Sequence, residues 1–152
     1  IHFTQQCLEI RQETGDRFEE GNALGNLGIA YMNLEEYNQA TNFIQQQLSI
    51  AQEIGDQRGE GIAFSNSGRA SMKLKKYSEA LEKMQKALEI YRLINYPSGE
   101  ANTLRNLAEL YHYTQQPSVA IEFGQQAIDI AAKLGVPLKE YEAVLMMVEN
   151  KE

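Results

Sequence analysis

Asn26, Asn66 and Asn106 stand at one register, 40 positions apart. An asparagine amide donates from its nitrogen and accepts at its oxygen, so it can hold both halves of a peptide bond. Asn is also a mediocre helix former, yet each of these three sits inside an apolar pattern of helical period. Two uses fit that placement. The amide bonds to a neighbouring helix and fixes the spacing of repeated units, or it faces a groove and bonds the backbone of an extended peptide.

Helical spacing gives each asparagine its neighbours. Asn22, Gly25, Ile29, Met32 and Asn33 share a face with Asn26. Ile62, Ser65, Arg69, Met72 and Lys73 share one with Asn66, and Asn102, Arg105, Glu109, His112 and Tyr113 one with Asn106. The candidate partner-binding residues are therefore Asn22, Asn26, Asn66, Arg69, Lys73, Asn102, Arg105, Asn106 and Glu109. The strip around Asn66 is basic within an acidic chain. It favours an acidic peptide segment or a carboxylate terminus, with Arg69 and Arg105 as forked donors. Solvated surface charge is the better reading of Lys73.

Other chemistries find little footing. His2 and His112 lie far apart, and no His-x-x-x-His or Cys-x-x-Cys occurs, so no metal or cofactor is expected. Adjacent carboxylates at Glu19-Glu20 and Glu35-Glu36 diverge instead of converging on a substrate. No serine has a positioned base, and the expectation is that the chain is not an enzyme. Gly21, Gly25 and Gly28 suggest a phosphate loop, but no strand precedes them and no Gly-Lys-Ser/Thr follows. In the third unit, Ala101 and Ala108 take the places that Gly21 and Gly28 hold in the first. Alanine replaces glycine where only smallness matters, so these are close helix–helix contacts. Cys7 falls where later units have Gln47, Ala87 and Ala127, and reads as a small packing residue.

The elements that carry these residues recur. Punctuation marks fall at Gly15-Asp16, Gly55-Asp56, Asn95-Tyr96-Pro97 and Gly135-Val136-Pro137. Gly or Asn stops one helix in the left-handed conformation. Asp caps the next, with Glu19 completing a capping box, or Pro opens it at the first helical position. Between marks lie two helices. The first runs over 17–33, 57–73 and 97–113, with Leu24, Leu27, Tyr31 and Leu34 stepping by three and four. The second begins near Tyr37, Tyr77 and Pro117. It buries Ala40, Ile44, Leu48, Ala51 and Ile54, then Ala80, Met84, Leu88, Tyr91 and Ile94. The first two units agree at 16 of 40 positions.

Asn26-Leu27-Gly28-x-x-Tyr31, then Tyr37, then Ala40 resembles the tetratricopeptide repeat. The 40-residue unit is similar to the variant in kinesin light chains, in G-protein-signalling modulator scaffolds and in bacterial arrays joined to signalling ATPases. The resemblance implies an all-α, right-handed α-solenoid of antiparallel helix pairs, about seven helices in all. It also implies that asparagines at this register bind ligand backbone. Residues 1–14 read as the second helix of a truncated repeat, 15–54, 55–94 and 95–134 as three repeats, and 135–152 as a terminal or capping helix. Ser71, Gly124 and Pro117 depart from the pattern.

Composition agrees with a folded helical chain: 152 residues, 43% hydrophobic, no Trp and three Pro. A net charge of −7 disfavours nucleic acid and anionic membranes as partners. One cysteine allows no internal disulfide and points to a reducing, cytoplasmic setting. The opening Ile1, in mid-pattern, reads as a piece cut from a longer protein. The function expected is a protein–protein interaction module, a scaffold or adaptor gripping a peptide or helix, with self-association open to it. The alternative is the sensor or regulatory arm of a multidomain signalling ATPase.

Overall fold

The computed structural model describes residues 5 and 16–150. The reading of residues 1–14, with Cys7 and His2, lies outside the described residues apart from Gln5, which is helical. Seven helices follow in order: α1 Arg17–Asn33, α2 Tyr37–Ile54, α3 Gln57–Lys73, α4 Tyr77–Leu93, α5 Pro97–Tyr113, α6 Pro117–Leu134 and α7 Lys139–Glu149. No strand occurs among the described residues. Each helix packs on its successor, and α1, α3, α5 and α7 also pack on one another in sequence. Successive pairs stack side by side, so the molecule is an all-α solenoid.

The helix ends follow local chemistry. Asp16 accepts a hydrogen bond from the Glu19 backbone N–H at 3.1 Å, and Asp56 accepts from that of Gly59 at 3.0 Å. Gly55 and Gly135 close α2 and α6 at φ +72° and +68°. Asn95 does the same work after α4 at +52°. Pro97 and Pro117 each open a helix, where the missing N–H is no loss. Pro137 departs from the expected role. It precedes Leu138, the residue before α7, and so lies ahead of the helix and not at its first position. The turn inside each pair carries a feature the sequence does not announce: Glu35, Lys75 and Gln115 all adopt positive φ, at 61°, 61° and 59°.

The core is a stripe between the helix layers. Met32, Ala40, Ile44, Leu48, Ala63 and Ala70 fill it between the first pairs. Met72, Met84, Leu88, Leu104, Leu107, Leu110 and Tyr141 continue it to the last helix. Small residues let the helices approach. A Cβ on Gly28 would stand 2.6 Å from Ile44, and one on Gly68 2.7 Å from Met84. Ala40, Ala80 and Ala120 are fully buried at equivalent places. Two expected core residues are exposed, Leu34 at 54% and Ile54 at 39%. Leu34 is the residue that ends α1, and Ile54 is the last of α2, where the buried stripe stops.

Candidate functional site

The asparagines differ in setting. Asn66 is 8% exposed and Asn106 4%, whereas Asn26 is exposed. Asn66 lies on α3, which has α1 and α5 beside it, and Asn106 lies on α5 between α3 and α7. Both line one cleft of about 260 Å³, with Ile29, Ile62, Ser65, Arg69, Asn102 and Arg105. Neither amide bonds to another described residue, and neither is sealed from solvent, so both open on the cleft. A buried amide normally finds a protein partner. The helix-to-helix bond that would fix repeat spacing is not made by either.

The charges on this face are mostly spent within the protein. Lys73 donates to Glu109 at 3.2 Å, and the Tyr113 hydroxyl donates to the same carboxylate oxygen at 3.2 Å. Burial lowers the Lys73 ammonium, but the Glu109 charge and hydrogen bond, with Tyr113 and Tyr37, lift it above its ordinary value. Arg105 pairs with Glu140 of α7 at 2.5 Å and stands 5.4 Å over the Tyr141 ring. The Tyr141 hydroxyl donates to the Asn102 oxygen at 2.9 Å. Arg69 is the exception. It has no ion pair or hydrogen bond among the described residues. Burial, and then the charge of Arg105, pull its guanidinium below the ordinary value, while Glu109 and Glu140 act the other way. Among the described residues, the strip expected to be basic thus offers one unpaired cation to a ligand.

Of the sequence-predicted residues, Asn66, Arg69, Asn102, Arg105 and Asn106 come together on the cleft. Lys73 and Glu109 form their own pair outside its lining, and Asn26 is exposed elsewhere on α1. Asn22 lines a separate small void with Phe18, Gln47 and Ile50. Met32 and Met72, grouped with the lining by spacing, are buried in the core. One wall comes from residues outside that helical register: Tyr91, Tyr96, Ser98 and Gly99, at the junction of α4 and α5. Tyr91 and Tyr96 have ring centroids 5.5 Å apart, and Arg58 lies 4.7 Å over the Tyr96 ring and donates to its hydroxyl at 3.1 Å. The available signal is departure from the repeat. Tyr91 stands where the flanking units have Ala51 and Ala131, and Tyr96 where the earlier ones have Asp16 and Asp56.

A buried hydroxyl pair braces this wall. Thr103 donates to the Gly99 carbonyl at 2.9 Å, and its oxygen lies 3.3 Å from that of Ser65. With the threonine proton committed, Ser65 is the donor between the two.

The tetratricopeptide repeat family matches residues 19–93 and again 59–133, together most of the chain. The chain belongs to the tetratricopeptide repeat family. Its fold generally mediates protein–protein interaction and scaffolding, and generally without catalysis. Solved tetratricopeptide-like arrays align with it over most of its length. BtubC (BKLC) of P. vanneervenii has a TM-score of 0.76 at 18% identity, over 94% of this chain and 69% of that one. A putative kinesin light chain of Podosopora anserina with nearly identical repeats gives 0.67 at 18%, over 87% of this chain and 65% of that one. A point-substituted form of the Podosopora anserina protein gives 0.68 at 17%, over 98% and 83%. No curated protein sequence matches this one. Among the described residues, no helix is long and apolar enough to cross a membrane.

Proposed function

We propose that the face built by α1, α3 and α5 grips an extended peptide segment of a partner protein. One observation carries the reading: Asn66 and Asn106 are more than nine-tenths buried, open on the same cleft, and have no partner for their amides among the described residues. Burying polar groups in this state costs stability, and a ligand backbone offering alternating N–H and C=O groups satisfies both. Arg69 supplies the charge preference. A partly buried guanidinium without a counter-ion favours a carboxylate, which it meets with two parallel hydrogen bonds. The preferred partner is a segment with an acidic residue, held by its backbone on α3 and α5.

The test is selection of binders from a displayed library of random peptides, followed by calorimetry on the best of them. The double change Asn66→Ala with Arg69→Ala is expected to weaken binding by at least about a hundredfold, near 3 kcal/mol. Undiminished affinity would remove the cleft from the binding surface.

A further inference from the structure

Tyr91 carries an inference that rests on the peptide reading above. Its ring occupies a slot made for it: a Cβ on Gly61 or on Gly99 would each come within 2.7 Å of the ring. The side chain is 3% exposed and lines the cleft. Its hydroxyl has no hydrogen-bond partner among the described residues and is not sealed from solvent. Burial, above all, raises the phenol well beyond its ordinary value, so the group remains an O–H donor at physiological pH. The neighbouring Ser65 proton is already spent on Thr103. The lining therefore presents the Tyr91 hydroxyl and the Arg69 guanidinium as donors without a partner among the described residues, while the Asn66 and Asn106 amides, each with a donor and an acceptor, serve the ligand backbone.

A donor-rich lining of this kind suits an oxyanion. One unpaired cation balances one negative charge, and the nearby Lys73–Glu109 and Arg105–Glu140 pairs leave no second cation free on this lining, among the described residues, to balance another. A carboxylate meets that balance better than a phosphate, which carries close to two charges near pH 7. We propose that Tyr91 and Arg69 form a subsite that takes an Asp or Glu side chain of the bound segment and rejects its carboxamide counterpart. Rejection follows because Arg69 has donors only: it meets a carboxylate with two charge-assisted hydrogen bonds, and it cannot accept from the NH₂ of Asn or Gln or gain from a charge.

The experiment is a side-chain NMR titration of the whole chain with acetyl-Ala-Ala-Glu-Ala-Ala-amide and its Gln and phosphoserine counterparts. The Glu peptide is expected to shift the Asn66, Asn106 and Arg69 side-chain signals and to bind about tenfold more tightly than the Gln peptide. Tyr91→Phe, and separately Arg69→Gln, should each abolish most of that preference. Arg69→Gln leaves the glycine slot untouched, so it reads the subsite even if Tyr91→Phe disturbs packing. A preference that survives both changes, while Asn66→Ala weakens both peptides, overturns the subsite and leaves the backbone grip standing. Tighter binding of the phosphoserine peptide overturns the carboxylate assignment. Cleft signals unmoved by every peptide overturn both proposals.

Discussion

Adding one methyl group beside Tyr91 measures how tightly its slot is built. Gly61→Ala or Gly99→Ala should destabilise the fold by about 1–3 kcal/mol, the usual cost of overpacking. In a Tyr91→Ala background the Gly61 change should cost little, because the ring it strikes is gone, whereas a Cβ on Gly99 still meets Tyr96 at 2.7 Å. Urea denaturation of the single and combined variants checks this, and additive losses would refute it. Gly21 is a useful contrast, since among the described residues its Cβ would meet only Ile50, at 3.3 Å. The turns pose a different question. An added Cβ on Gly55 finds nothing within 4 Å, so only its φ of +72° resists substitution. Gly55→Ala should therefore lose about 1–2 kcal/mol through backbone strain alone. Lys75, at φ 61°, stands in the reverse situation. Lys75→Gly should raise the melting temperature, with a gain of up to about 1 kcal/mol. The sequence marks Gly55, Asn95 and Gly135 as left-handed because their residue types favour it. It does not mark Glu35, Lys75 or Gln115, since charged and amide side chains are at home in helices. The helix-ending turn sets the conformation there: the Glu36, Lys76 and Gln116 backbone N–H groups donate back to the Tyr31, Ser71 and Tyr111 carbonyls.

At the scale of the element, one contact distinguishes the pairs. Tyr31 stacks on Phe43 at 5.2 Å, and Tyr111 on Phe123 at 5.3 Å. The middle pair has Ser71 and Lys83 at these positions, and both reach Glu79. The Lys83 hydrogen bond, then that of Ser71, holds the Glu79 carboxyl below its usual range. That contribution is present above the unfolded carboxylate pKa and is lost as pH falls through the lower folded value. Ser71→Tyr with Lys83→Phe should restore the stack. The pair should be about 0.5–1.5 kcal/mol more stable than the two single changes sum to, measured by a double-mutant cycle. The double variant should also lose the Glu79 part of its acid dependence. Ser71 alone reads from sequence as a defect, but with Lys83 and Glu79 in place it is a polar substitute for an aromatic contact. Gly124 is explained in the same way. A Cβ there would stand 2.5 Å from Leu145, so the missing side chain makes room for α7.

For the whole molecule, stacking in one dimension governs stability. Each pair meets only its neighbours, so a defect spreads by one interface at a time. Met84 is fully buried in the shared core of the middle and last pairs. Met84→Ala should cost about 2–5 kcal/mol. Hydrogen exchange should rise most in α3, α4 and α5, and less in α1. Uniform loss of protection would show that the array unfolds as a single unit. The acidic surface acts at this scale too, and the net charge of −7 opposes long-range approach of an acidic partner. Screening at physiological salt confines that repulsion to about 8 Å, which leaves the choice of partner to groups at contact.

Residue order by itself determined the helix pairs, their period of 40 and the small residues at their crossings. These depend on local propensity, caps and apolar spacing, all of which recur along the chain. It also singled out the asparagine register, because a poor helix former repeated at one place is a local anomaly. Only the tertiary structure decided which amides are buried, which cations are already paired, and that Tyr91 walls the cleft. Those outcomes turn on neighbours far along the chain, 36 residues for Lys73 with Glu109 and 35 for Arg105 with Glu140. Charge pairing and burial are properties of contact, and contact between stacked helices is set by the fold as a whole.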